Sequence, residues 1–214
     1  MVEPADISRL VMWTAFDLLG SPVTWLEVLA FGLSLWMVRC NMRVQPLAWP
    51  LAIAASVLYG VLFAHSRLYG EAALQVVFIM VSAWGWQQWL RGRDATGAPL
   101  AVRRLGGRGG WWIGLAVLAA WPTLGLLLDH ATDSDVPYAD ALPTVASVAG
   151  QWLLARKYLE NWPVWLVVNI LSVGLFAWKG LWLTVVLYAI FALLSWWGWQ
   201  AWRRMLPGAA PAQA

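Results

Sequence analysis

Long apolar runs broken by short charged segments make up most of this chain. Seven runs can be marked, at 22–38, 46–64, 69–90, 110–128, 140–155, 162–178 and 180–202. Each is near the length that carries an α-helix across about 30 Å of hydrocarbon. The shorter ones tilt little or thin the bilayer around them. Residues 5–19 form a further run, but Asp6, Arg9 and Asp17 in so short a stretch predict an amphipathic segment lying at the interface and not an eighth span.

The pattern is written twice. Residues 49–89 and 162–202 align without a gap at an offset of 113, with 15 identities over 41 positions. They include Trp49/Trp162, Pro50/Pro163, Leu62-Phe63-Ala64 with Leu175-Phe176-Ala177, Ser82/Ser195, Trp84-Gly85-Trp86-Gln87 with Trp197-Gly198-Trp199-Gln200, and Trp89/Trp202. Self-similarity of this order constrains the whole architecture, and in membrane carriers the substrate site lies between the copies. Arg43 and Arg156 each precede their Trp-Pro pair by six residues, so the unit extends upstream to three helices. An odd number of spans per unit plus one connecting helix leaves both copies in the same orientation. The expected fold is therefore an all-α membrane protein of seven transmembrane helices, two parallel three-helix repeats joined by a linker helix. The parts are an interfacial segment at 1–21, the first repeat at 22–90, a basic linker, connecting helix and acidic outer loop at 91–139, the second repeat at 140–204, and a tail at 205–214. The Arg- and Gly-rich stretch 91–109 reads as a flexible cytoplasmic linker.

Composition agrees with this reading. With 61% hydrophobic residues, 12% charged and a mean hydropathy of +0.64, the chain is far from a soluble domain, about a quarter of which is charged. Many of the 19 tryptophans fall near the ends of apolar runs, where indoles settle at the headgroup level. The net charge of +3 belongs to membrane orientation, because the arginines lie between apolar runs and form no stripe for nucleic acid. One set of ends holds Arg39, Arg43, Arg91, Arg93, Arg103, Arg104, Arg108, Arg156, Lys157, Arg203 and Arg204, 11 of the 14 cations. The opposite set holds Arg9, Arg67 and Lys179 beside the acidic loop with Asp129, Asp133, Asp135 and Asp140. The positive-inside rule then places the N-terminus outside and the C-terminus in the cytoplasm. The acidic start, with Glu3 and Asp6, lacks the basic region of a signal peptide. Cys40, the single cysteine, reads as a small apolar filler.

Chemistry concentrates at a few polar positions. In the sixth run Trp162, Trp165 and Asn169 fall at i, i+3 and i+7, within an arc of roughly 60°. Two indoles suit stacking on a flat or cationic ring, and a carboxamide both donates and accepts. The competing reading makes them interfacial anchors and an interhelical hydrogen bond. At the 113 offset Gln75 pairs with Tyr188 and Ser56 with Asn169, so the copies disagree at polar positions while keeping packing residues, as a site for an asymmetric ligand requires. The run boundaries put Gln75 roughly 8 Å from the outer edge and Asn169 roughly 10 Å from the inner edge, which calls for an elongated ligand. Glu27, early in the first run, is a candidate for proton or cation coupling, but its place near the outer interface favours a hydrated group. Apart from it, Glu71 and Asp140 at the first position of its run, no carboxylate falls within a run, and that scarcity favours uncoupled transport. His65 and His130 read as solvated, and Asp133 and Asp135 lack the third ligand and glycine of a calcium loop. No nucleophile elbow, phosphate loop or zinc spacing occurs, so no cofactor, metal or enzymatic activity is expected.

These residues resemble the PnuC-type nicotinamide riboside transporters. The likeness runs from about Pro22 to Arg204 and rests on Trp49-Pro50, Leu68-Tyr69-Gly70 followed by Leu74-Gln75, Gly85-Trp86, and above all Glu160-Asn161-Trp162 opening W-x-x-W-x-x-x-N. The resemblance implies a SWEET-like fold, with Trp162, Trp165, Asn169 and Gln75 at the substrate and Tyr188 and Ser56 as their partners from the duplication. It implies facilitated diffusion of the vitamin, made one-way by a cytoplasmic kinase that phosphorylates it. Related carriers take thiamine or riboflavin, and the thiamine-type pattern has Tyr at the first motif tryptophan, so Trp162 points to nicotinamide riboside. The family more often has Asn near the QPLA segment before Trp49. Two rival readings stay open: a thiamine or riboflavin carrier of the same fold, and a membrane scaffold or sensor that transports nothing. The aromatic outer surfaces also leave room for a homo-oligomer.

Overall fold

The computed structural model describes residues 13–18, 21–65, 69–131, 136–178 and 182–207. Seven helices account for most of them: α1 (Trp25–Met42), α2 (Ala48–His65), α3 (Tyr69–Arg91), α4 (Gly107–Ala131), α5 (Pro137–Ala155), α6 (Asn161–Trp178) and α7 (Trp182–Arg204). Each of the seven apolar runs is one helix. By length and composition α4, α6 and α7 are apolar enough to cross a membrane. Ala48–Leu62 of α2 is a shorter apolar stretch, and α3 turns Gln75 and Ser82 inward.

The helices close into a ring. Contacts run α1 to α2, α2 to α3, α3 to α5, α5 to α6, α6 to α7, and α7 back to α1, while α4 packs along α5. Many local features of the first three helices recur 113 residues later. The turn after α1 has Val44 at φ 54°, and the turn after α5 has Lys157 at φ 56°. Gln45 N donates to Cys40 O at 2.9 Å, and Tyr158 N to Leu153 O at 2.9 Å. These turns share little sequence, and a positive φ is costly for both side chains, so the backbone geometry is what repeats.

At this basic end four indoles meet. Trp49 lies edge-on to Trp89 (5.4 Å, 88°), Trp162 edge-on to Trp202 (5.6 Å, 88°), and Trp89 beside Trp202 (6.3 Å). Such pairs contribute about 0.5–1.5 kcal/mol each beyond the area they bury. The Trp89 indole N–H donates to Leu154 O at 3.1 Å and that of Trp202 to Asn41 O at 3.0 Å. Both bonds join the first three helices to the last three. Gly85 and Gly198 make the approach possible, because a Cβ on either would overlap the ring of Trp49 or Trp162. Cys40 is buried against Ala48 and Leu51, where it acts as a small filler.

Three stretches depart from or refine the expectations. Where it is described, the segment before the first helix is extended: Thr14–Leu18 and Ser21–Thr24 pair as an antiparallel hairpin, in which Thr14, Phe16, Val23 and Thr24 suit extended backbone. This moves the start of the first helix to Trp25, and the rest of the interfacial segment lies outside the described residues, as do Asp133, Asp135 and the His65 side chain. Glu27 closes a capping box, accepting from Thr24 N (2.7 Å) while Thr24 Oγ1 accepts from Glu27 N (3.3 Å); its carboxylate holds the start of α1. The stretch 91–109 is also not a free linker. Asp94 accepts from Thr96 and Ala98 N–H groups and the Thr96 hydroxyl, bonds that hold its carboxyl below the usual carboxylate range. The strap then pairs with the α5–α6 turn through Arg103 N to Lys157 O (3.1 Å) and Leu159 N to Arg103 O (2.9 Å). Leu105 N donates to the Glu160 carboxylate (2.8 Å), Lys157 Nζ donates to Leu100 O (2.8 Å), and Arg103 lies over the Tyr158 ring at 4.5 Å. Burying Leu100 and Val102 offsets the entropy of ordering so polar a segment, and the same burial pushes the Lys157 ammonium below the usual lysine range.

The glycine notches yield a direct test. Gly85→Ala and Gly198→Ala should each destabilise the purified protein by about 1–3 kcal/mol, lowering Tm by several degrees. Gly174→Ala, which faces open space, should not lower it. Thermal unfolding in detergent measures all three.

Candidate functional site

Six of the seven helices turn polar side chains toward a shared interior cavity of about 200 Å³. Ser34 and Asn41 come from α1, Ser56 and Tyr59 from α2, and Gln75, Phe78 and Ser82 from α3. Ser147 and Gln151 come from α5, Asn161, Trp162, Trp165 and Asn169 from α6, and Tyr188, Phe191 and Ser195 from α7. Among the described residues the lining contains no carboxylate, lysine, arginine or histidine.

All six residues singled out from the sequence, Trp162, Trp165, Asn169, Gln75, Tyr188 and Ser56, line this cavity. Gln75 lies six residues after the start of α3 and Asn169 eight after that of α6, roughly 9 and 12 Å along their helices. The two helices start at opposite ends of the ring, yet both side chains reach the same cavity, which is therefore long along the helix axes.

Packing fixes these groups in place. Asn169, 3% exposed, donates from Nδ2 to Ser195 Oγ at 3.1 Å, and Ser195 passes its own proton to Phe191 O at 2.7 Å. That chain orients the carboxamide. Trp162 is held edge-on by Trp202. Trp165 lies against α5 at Gly150, where a Cβ would sit 3.2 Å from its ring. Tyr188 stacks on Phe176 at 5.2 Å and meets Phe191 edge-on at 6.0 Å. Gln151 Nε2 donates to Ser82 Oγ at 3.3 Å across the α3–α5 contact. The site offers aromatic faces, amides and hydroxyls, and it can recognise a flat, hydrogen-bonding ligand without a compensating ion pair. Among the described residues no cluster of His, Cys, Asp or Glu could hold a metal ion.

Sequence reasoning missed Ser34, Asn41, Tyr59, Ser147, Gln151 and Asn161 as lining residues, and it used Ser82 and Ser195 only as a matched pair of the duplication. The offset contained most of the signal. Carried upstream of Arg43/Arg156 it pairs Ser34 with Ser147 and Val38 with Gln151, and all four line the cavity. Asn161 stood in the quoted motif without a role.

Comparison with known proteins gives a consistent result. Residues 24–204 match the family model described as nicotinamide mononucleotide transporter. The riboflavin/roseoflavin transporter RibM of Streptomyces davaonensis is 28% identical over 191 residues, covering 88% of this chain and 89% of that one. The nicotinamide riboside transporter PnuC of Escherichia coli is 26% identical over 177 residues, covering 68% and 71%. A crystal structure of the vitamin B3 transporter PnuC has the same fold, with a TM-score of 0.70 at 22% identity over 85% of this chain and 81% of that chain.

The Asn169–Ser195 bond predicts energetic coupling. In a double-mutant cycle of Asn169→Ala and Ser195→Ala, Tm-derived stabilities should deviate from additivity by about 0.5–1.5 kcal/mol. A pair at the same depth without a shared bond, Ser34→Ala with Ser195→Ala, should be additive.

Proposed function

The chain belongs to the nicotinamide mononucleotide transporter family, and from that premise we propose that it imports nicotinamide riboside by facilitated diffusion. Trp162 and Trp165 stack on the pyridinium ring, whose positive charge is attracted to indole faces. Asn169 and Gln75 bond the carboxamide or ribose, with Tyr188 and Ser56 completing the walls. The observation that carries this reading is the cavity itself, in which indoles and amides converge from helices on both sides of the ring. Its described lining holds no carboxylate, which supports transport without proton coupling, and a riboside kinase in the cytoplasm then supplies the direction by trapping the product.

The membrane arrangement follows the same reading. Seven spans form two parallel three-helix repeats, α1–α3 and α5–α7, with α4 as the connecting helix, the N-terminus outside and the basic end in the cytoplasm. Its support is the closed ring of contacts with α4 outside it, the paired turns and the collection of cations at one end. A second substrate, riboflavin, is favoured by one observation: the riboflavin relative matches nearly the whole length of this chain.

Uptake of labelled nicotinamide riboside into proteoliposomes tests the proposal. Asn169→Ala and Gln75→Ala should each reduce uptake about ten-fold or more, and full transport by both would reject the site. Excess riboflavin or thiamine should compete weakly; strong competition by riboflavin would transfer the assignment to that vitamin. Binding should also be flat between about pH 5 and 8, since among the described lining residues none is of a type that titrates there. A steep pH dependence would contradict uncoupled transport.

A further inference from the structure

The inner end of the cavity carries polar atoms that the six residues above leave unexplained. Asn161 is fully buried and Asn41 is 5% exposed. Asn161 Nδ2 donates to Tyr158 O at 2.6 Å, which fixes the amide and leaves Oδ1 without a partner. Asn41 Nδ2 points at Met37 Sδ at 3.0 Å, and its Oδ1 is likewise buried and unpartnered. The indole N–H of Trp162, 3% exposed, has no acceptor either. All three residues line the cavity. Trp202 links two of them, since its ring packs on Trp162 at 5.6 Å and its N–H bonds Asn41 O at 3.0 Å, and Asn161 precedes Trp162 in the chain.

A buried acceptor without a donor is costly, so two on the lining of one cavity call for a ligand that donates twice. Trp49 carries the same unpartnered N–H away from the cavity, and the weight therefore falls on the carboxamides. These are also the places where the copies differ: at the 113 offset Asn41 stands against Leu154 and Asn161 against Ala48. The first and last three helices thus accept an apolar residue at each position, and the amides are not demanded by the frame.

We propose that Asn41 and Asn161, with the Trp162 N–H, form a hydroxyl-binding subsite at the basic end of the cavity, specific for the sugar or polyol part of the ligand. Two vicinal hydroxyls donate to Asn41 Oδ1 and Asn161 Oδ1, and a hydroxyl or ring oxygen accepts from Trp162. The flat ring then lies against the faces of Trp162 and Trp165, with its far edge toward Gln75 and Tyr188. The subsite makes the carrier a reader of the polyhydroxylated part as well as of the ring. This assignment rests on the vitamin reading above.

Asn41→Leu and Asn161→Ala install the residue found at the counterpart position, which limits the risk to folding. Binding is measured on purified protein with two matched pairs, nicotinamide riboside against nicotinamide and riboflavin against lumiflavin, which lacks the ribityl chain. For whichever sugar-bearing member binds, each variant should raise Kd about three- to ten-fold and reduce its preference over the truncated partner by the same factor. Unchanged affinities, or equal losses for both members of a pair, would overturn the subsite while leaving the vitamin reading intact. If the wild-type protein binds neither sugar-bearing compound, the vitamin reading falls and the subsite with it.

Discussion

Two buried indole N–H groups connect the first three helices to the last three. Trp89 donates to a carbonyl on α5 and Trp202 to one on α1, and both donors are positioned by edge-on contact with a second tryptophan that a glycine admits. In an apolar interior an unpaired N–H or carbonyl is costly, so these bonds fix the register of one half against the other. The ring of helices, and with it the cavity at its centre, is referred to these two points. Few other cross-connections between the halves involve side chains; Gln151 to Ser82 and Arg156 to Gln88 are two.

The cavity uses the duplicated frame by departing from it. Where the copies agree, as at Phe78/Phe191, Ser82/Ser195 and Ser34/Ser147, the walls are balanced. Where they disagree, an indole faces a methyl group at Trp165/Ala52 and an amide faces a hydroxyl at Asn169/Ser56. Such differences make the walls contributed by the two copies chemically unequal.

Much of this was legible in the residues. The seven helices follow from apolar runs, because hydrocarbon demands continuous internal hydrogen bonding, and the boundaries shifted by a few residues where Pro22, Val23 and Thr24 preferred an extended chain. Trp162, Trp165, Asn169, Gln75, Tyr188 and Ser56 could be picked out because polar groups in apolar runs are expensive and therefore rare. Asn41 and Asn161 escaped for the opposite reason: they stand at helix ends among arginines and turn residues, where a polar side chain needs no explanation until its burial is known. The ordered strap was illegible as well. Glycines and charges read as a solvated linker, and what orders it is a surface 50 or more residues away, the turn around Lys157 and Tyr158.

That strap gives the molecule a handedness of function that duplication alone would not. Were the three-helix unit a separate polypeptide that paired with itself, both turns at the basic end would have identical surroundings, and a bound molecule could enter in either of two equivalent poses. Here residues 100–105 lie along the α5–α6 turn, and among the described residues the α1–α2 turn carries no such pairing. The peptide that fuses the two units therefore also marks one of them, so that the two poses are no longer equivalent even before the side chains in the cavity are considered.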